Sequence, residues 1–182
     1  MMIIASGLAL LIASAYAVSK ARVHNNCSFP IFLSPVQVEA NLPITTLQPG
    51  KTYQENYRLK MAMAGRPPTG VSIKVSSDPR MGDRKDGNDL SGIPLTQLEY
   101  TYDPAMWPDL FYDISDINDH EPRQFCHSGL RLIPDRKTCP TITCPPGCGS
   151  FCSQAYNKPD DLGTKACSSD TGITLLLCSG PG

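Results

Sequence analysis

The sequence predicts an all-β sandwich braced by disulfides, and three observations carry that expectation. Short stretches with alternating apolar and polar residues recur along the chain. The plainest is Val71, Ile73 and Val75, with Ser72, Lys74 and Ser76 between them. The 17 Pro and 14 Gly make the chain loop-rich, and strand candidates outnumber helical ones throughout. The eight cysteines, an even number in a chain that opens on a secretory leader, favour disulfides over free thiols.

That leader is MMIIASGLALLIASAYA, apolar and uncharged, ending in the small-x-small pattern Ala15-Tyr16-Ala17. It is shorter than the roughly 20 residues a bilayer span needs. Residues 1–17 are therefore expected to be removed, leaving one domain over 18–182 in a secreted protein that resides outside the cell or in its wall.

Strands are expected at Arg22 to Cys27, Phe29 to Leu33, Lys51 to Leu59 and Val71 to Ser76, then at Gly129 to Ile133 and Ile173 to Cys178. Between them, TQLEYTYDPAMWPDLFYDISDI reads as two strands joined by a Pro-containing loop. If that loop centres on Met106, Leu98 faces Ile114, Tyr100 faces Tyr112, and Glu99 lies directly opposite Asp113. Opposed side chains in an antiparallel pair have Cβ atoms about 4.5–5.5 Å apart, where like charges repel. Two facing carboxyls therefore mark a candidate site. Trp107, in the connecting loop, is either an aromatic platform for a sugar ring or an anchor packed on the sheet. Tyr53 and Tyr57 are expected in the core or on the sheet surface.

The segment DPRMGDRKDGND, Asp78 to Asp89, mixes both charges with Gly and Pro and reads as a solvated loop. Its acids do not match EF-hand spacing. The stretch from Cys126 to Cys167 reads as a compact, irregular cysteine-rich lobe. Its cluster CPTITCPPGCGSFC lacks the C-x2-C pairs of structural zinc sites, so no metal is expected. The chain has no G-x-S-x-G, H-E-x-x-H or G-x-G-x-x-G motif, and His24, His120 and His127 form no recognised ligand set. No cofactor is expected. A net charge of −1 does not recommend nucleic acid, and no later segment is long enough to cross a membrane. A monomer is expected.

Four stretches resemble thaumatin-like proteins, in order and across nearly all of residues 18–182. ARVHNNC resembles their first strand, with its V-x-N-x-C pattern, and LEY at 98–100 with FYDIS at 111–115 resembles L-x-E-F … F-Y-D-V-S. AYNKPDDLGTKAC resembles A-Y-S-Y-x-x-D-D-x-x-x-T-x-C, and LLLC at 175–178 resembles the closing V-x-F-C strand. The nearest form is the small fungal group of yeast-phase-specific or antigenic secreted proteins. The resemblance implies a thaumatin-like β-sandwich with a reduced disulfide-rich lobe. It also implies the pairings Cys27 with Cys178, Cys139 with Cys167 and Cys144 with Cys152, leaving Cys126 with Cys148. With Cys27 in a bridge, glycosylation at the sequon Asn26-Cys27-Ser28 is not expected.

The family has an acidic cleft of one Arg, one Glu and three Asp, associated with β-1,3-glucan binding and, in some members, weak glucanase activity. Glu99 matches the family Glu and Asp113 matches the Asp of F-Y-D-V-S. The Arg position falls on Thr46, and the other two Asp positions fall on Asn118 and Gln154. Asp116, Asp119 and Arg123 are near enough in sequence to compensate. The ligand-binding set is thus Glu99, Asp113, Asp116 and Trp107. The resemblance implies binding of a cell-wall polysaccharide, β-glucan, and the expected role is non-catalytic. The alternatives are a weak endo-β-1,3-glucanase using Glu99 and Asp113, and an antigen or effector that binds an extracellular protein through the Asp78 to Asp89 loop.

Overall fold

A computed structural model describes residues 19–38, 40–62, 64–65, 68–119, 123–147 and 152–180. The expected leader and Cys148, with its expected bridge to Cys126, lie outside these residues. The elements in order are β1 (Lys20–Asn25), β2 (Ile31–Gln37), β3 (Ala40–Asn41), β4 (Thr45–Leu47), β5 (Thr52–Asn56), β6 (Val71–Ser76) and a one-turn helix α1 (Pro79–Gly82). They continue with β7 (Thr96–Thr101), β8 (Asp109–Ser115), β9 (Leu130–Pro134), β10 (Ile142–Cys144), β11 (Lys165–Ser168) and β12 (Ile173–Leu177).

Two sheets face each other. One has the order β10-β9-β12-β1-β5, and the other runs β11-β8-β7-β6-β2-β3 with β4 added beside β2. Alternation explains the layering, because successive side chains point to opposite faces. From the first sheet Val23, Leu132, Ile173 and Leu175 point inward, and from the second Leu33, Ile73, Leu98, Tyr112 and Ile114 meet them, all fully buried.

The parallel pairing of β1 with β12 brings the two ends of the domain together, and Cys27–Cys178 closes them across 151 residues. In the loop-entropy account such a closure is worth about 5 kcal/mol. Cys139–Cys167 ties the lobe to the second sheet's edge strand, and Cys144–Cys152 closes a loop within the lobe. Cys126 is disulfide-bonded as well. The Asn of ARVHNNC has a structural role. Fully buried, Asn25 donates Nδ2 to the carbonyls of Phe29 and Leu47 at 2.9 Å each and accepts from the Cys27 N–H at 3.0 Å, fixing the turn out of β1. The neighbouring Asn26 amide donates to the Cys178 carbonyl at 2.9 Å, which holds the sequon side chain against the bridge.

Tyr57 is buried just beyond β5, which ends earlier than the sequence suggests. Its hydroxyl donates to the Thr171 carbonyl at 2.7 Å, and its ring packs against Tyr100 and Tyr102 at centroid distances of 5.1 and 5.3 Å.

The segment from Asp78 to Asp89 is not a solvated loop throughout. Asp78 caps α1 by accepting from the Arg80 N–H at 2.9 Å, Pro79 opens the turn, and Met81 is fully buried with Leu90, Ile93 and Leu95. Phe32 and Ile44 pack onto this cluster. Phe32 points away from the main core, so the segment covers part of the second sheet's outer face. An adjoining part of that face remains open.

Candidate functional site

The open part of that face is crossed by one row of side chains. Val36 pairs with Ser72, Ser72 with Glu99, and Glu99 with Asp113, so β2, β6, β7 and β8 place four consecutive residues in line. The expected hairpin register is present, with Leu98 opposite Ile114 and Tyr100 opposite Tyr112, both pairs in the core. Because side chains alternate, burying Leu98, Tyr100, Tyr112 and Ile114 obliges Glu99 and Asp113 to project together from the other face. Thr164, just before β11, extends the row by donating its hydroxyl to Asp113 Oδ2 at 3.3 Å.

The row floors an open groove of about 470 Å³. Thr101 and Phe111 wall it on one side along the strands, and Gln37 and Val38 lie at its β2 end. Gly70 opens it. A Cβ there would come within 2.2 Å of the Tyr100 carbonyl oxygen and 2.6 Å of Thr101 Oγ1, so any other residue would displace the β6–β7 edge of the groove.

Glu99 and Asp113 face each other in register on the groove floor, close enough that each acts on the other's proton affinity. Burial first, and the Glu99 carboxyl second, push Asp113 up to about 7. Burial also raises Glu99, against opposing pulls from the Ser72 hydroxyl, Asp113 and Lys74. Asp113 is thus the partner that holds the proton. Its Oδ1 is buried and receives no N–H or O–H from the described residues.

The other expected site residues lie elsewhere. Asp116 falls on the inner side of the strand end, nearly fully buried, where it accepts from Thr96 Oγ1 at 2.9 Å and pairs with Arg123 at 3.6 Å. Three residues after Asp113, it has the opposite parity and cannot face the groove. Asp119 accepts from the Gln124 side-chain amide and backbone N–H, and burial followed by Asp116 push it up to about 6. Asp116, Asp119 and Arg123 therefore form a separate internal cluster and do not complete the groove.

Trp107 does not line the groove. Its ring meets Phe111 edge-on at 6.1 Å, and Lys60 Nζ sits 3.9 Å over its face while pairing with Asp103 at 3.0 Å. It buttresses a groove wall with one face already capped by a cation. Thr46 aligns with Phe32, four residues along β2 from Val36. Asn118 accepts from Gln97 at 3.3 Å in the neighbouring row, and Gln154 accepts from the Thr143 N–H on the opposite sheet. Of the five family cleft positions, the structure brings two acids together.

Ser72, Gly70, Phe111 and Thr164 are groove residues that sequence reasoning did not single out. Ser72 was reachable from the Val71–Ser76 alternation. Thr164 carries no local signal, since β11 reaches β8 only through the fold.

The profile of the Blastomyces yeast-phase-specific protein family, Bys1, matches residues 8–179. The chain belongs to that family. Among curated relatives, an antigenic thaumatin-like protein of Arthroderma benhamiae is 33% identical over 97% of this chain and 81% of its own length. A secreted thaumatin-like protein, calA, of Emericella nidulans is 34% identical over 84% of this chain and 77% of its own. Among solved structures, the protein elicitor MoHrip2 of Magnaporthe oryzae superposes with a TM-score of 0.65 at 22% identity, covering 88% of this chain and 98% of that one. The thaumatin-like xylanase inhibitor TLXI superposes with a TM-score of 0.51 at 14% identity, covering 87% and 98%. The chain is a secreted, disulfide-bonded thaumatin-like β-sandwich. No helix among its described residues is long and apolar enough to cross a membrane.

Proposed function

We propose that this protein binds cell-wall polysaccharide, with β-glucan as the ligand, through the groove on its second sheet and without hydrolysing it. The observation that carries this reading is the facing Glu99–Asp113 pair on the floor of an open groove bordered by Ser72, Thr101 and Thr164 hydroxyls and the Phe111 ring. A neutral sugar chain presents hydroxyls that suit such acceptors and C–H faces that suit an aromatic wall. The same pair argues against hydrolysis. Retaining glycosidases hold their carboxyls about 5–5.5 Å apart and inverting ones about 6.5–9.5 Å apart, with the scissile bond between. Carboxyls that share a proton, as we propose for this pair, leave no such gap.

A second reading, recognition of another protein, draws on α1. By burying Met81 it fixes the charged segment to the sheet, with Arg84 and Lys85 exposed on a supported surface. Co-sedimentation with insoluble β-1,3-glucan separates the two. The double variant Glu99→Ala/Asp113→Ala, which removes both members of the pair and strands neither, should lose retention at unchanged fold. Arg84→Ala/Lys85→Ala should keep it. Wild-type protein that is not retained by the glucan would favour protein recognition through the charged segment.

A further inference from the structure

Resting on the polysaccharide reading, we infer that the Glu99–Asp113 pair is a proton gate: the groove accepts a neutral glucan while one proton is shared between the two carboxyls, and rejects it once that proton leaves.

The geometry forces the choice. The hairpin register holds both Cα positions opposite each other, and the buried Leu98, Tyr100, Tyr112 and Ile114 keep either strand from slipping. The carboxyls cannot separate by backbone movement. With one proton between them they form a single unit of charge −1. Without it, two like charges about 4.5–5.5 Å apart at Cβ face each other in a half-buried floor and must splay or draw in water. A neutral polymer would then have to strip that water from two ionised carboxylates. Asp113 changing charge at about 7 places the transition near neutrality.

The surroundings do not cancel the effect. Among the described residues, β6 supplies Ser72 and Lys74, and Lys74 is the charge that acts on Glu99. The approach to β11 supplies the Thr164 hydroxyl, and β2 supplies the uncharged Val36 and Gln37. Tyr100 and Tyr112 face the core. One cation offsets one carboxylate, which balances the singly protonated pair and leaves the doubly ionised pair with an excess negative charge.

The test pairs two measurements on the full-length oxidised protein: side-chain carboxyl ¹³C titration by NMR, and co-sedimentation with insoluble β-1,3-glucan from pH 5 to 8.5. Expected are one carboxyl of the pair titrating near neutrality and a glucan affinity that falls about tenfold across the same interval. Asp113→Asn, whose amide can donate permanently to Glu99, should show an affinity that varies less than twofold with pH, whatever its absolute value. Wild-type binding that is equal at pH 5 and 8.5, or an Asp113→Asn profile as steep as wild type, overturns the gate and leaves the glucan reading standing. Wild-type protein that binds at no pH, even with the neutral titration present, overturns both.

Discussion

Glu99 on β7 and Asp113 on β8 face each other in register on the floor of the groove. A sheet tolerates this because a proton, retained by Asp113 up to about pH 7, turns a like-charge clash into a hydrogen bond.

That proton makes stability depend on pH, with a definite sign. An unfolded Asp loses its proton near 3.9, roughly three pH units below the folded Asp113. Between these values the folded state binds more protons, so stability falls as pH rises, and above about 7 the full penalty is present. Its size is on the order of 2–4 kcal/mol. Urea unfolding at pH 5 and pH 8 should show the Asp113→Asn variant gaining on wild type at the higher pH, with a smaller difference between the two conditions. A variant that loses ground at pH 8 would contradict the shared proton.

Met81 tests the revised view of the charged segment. As the fully buried centre of a satellite cluster with Leu90, Ile93 and Leu95, it should cost about 2–4 kcal/mol when changed to Ala, measured by urea unfolding. A solvated loop would give a change within about 0.5 kcal/mol.

The bridges should rank by the loop each closes. Replacing Cys27 and Cys178 together by Ser opens a separation of 151 residues and should cost about 5 kcal/mol, against about 2.5 for Cys144 and Cys152, which are 8 apart. Thermal melts of the two double variants under oxidising conditions check the order.

How much of this was readable in advance depends on the length of the pattern. β6, β7 and β8 alternate over six or seven residues, so their inward faces, and with them the Glu99–Asp113 opposition, follow from the sequence. β4, β10 and β11 have three or four residues each, too few for a period to show, and their pairing is decided by distant strands. α1 was hidden for another reason: one turn with one buried side chain leaves no helical stripe, and Arg80, Asp83 and Arg84 around it read as loop. At the site, spacing alone made Asp116 look like a neighbour of Asp113, whereas parity sends it inward to Thr96 and Arg123. Trp107 was near the groove in sequence, but Lys60 and Phe111 had claimed its ring.

The decisive experiment is a paired assay at pH 5.5 on the full-length oxidised protein, in which insoluble β-1,3-glucan is sedimented and reducing sugar is followed in the same tube. Retention in the pellet without sugar release, lost in Glu99→Ala/Asp113→Ala, is the predicted result. Sugar release that disappears in Glu99→Gln would make the pair catalytic, and the absence of both retention and release would remove polysaccharide from the function of this face.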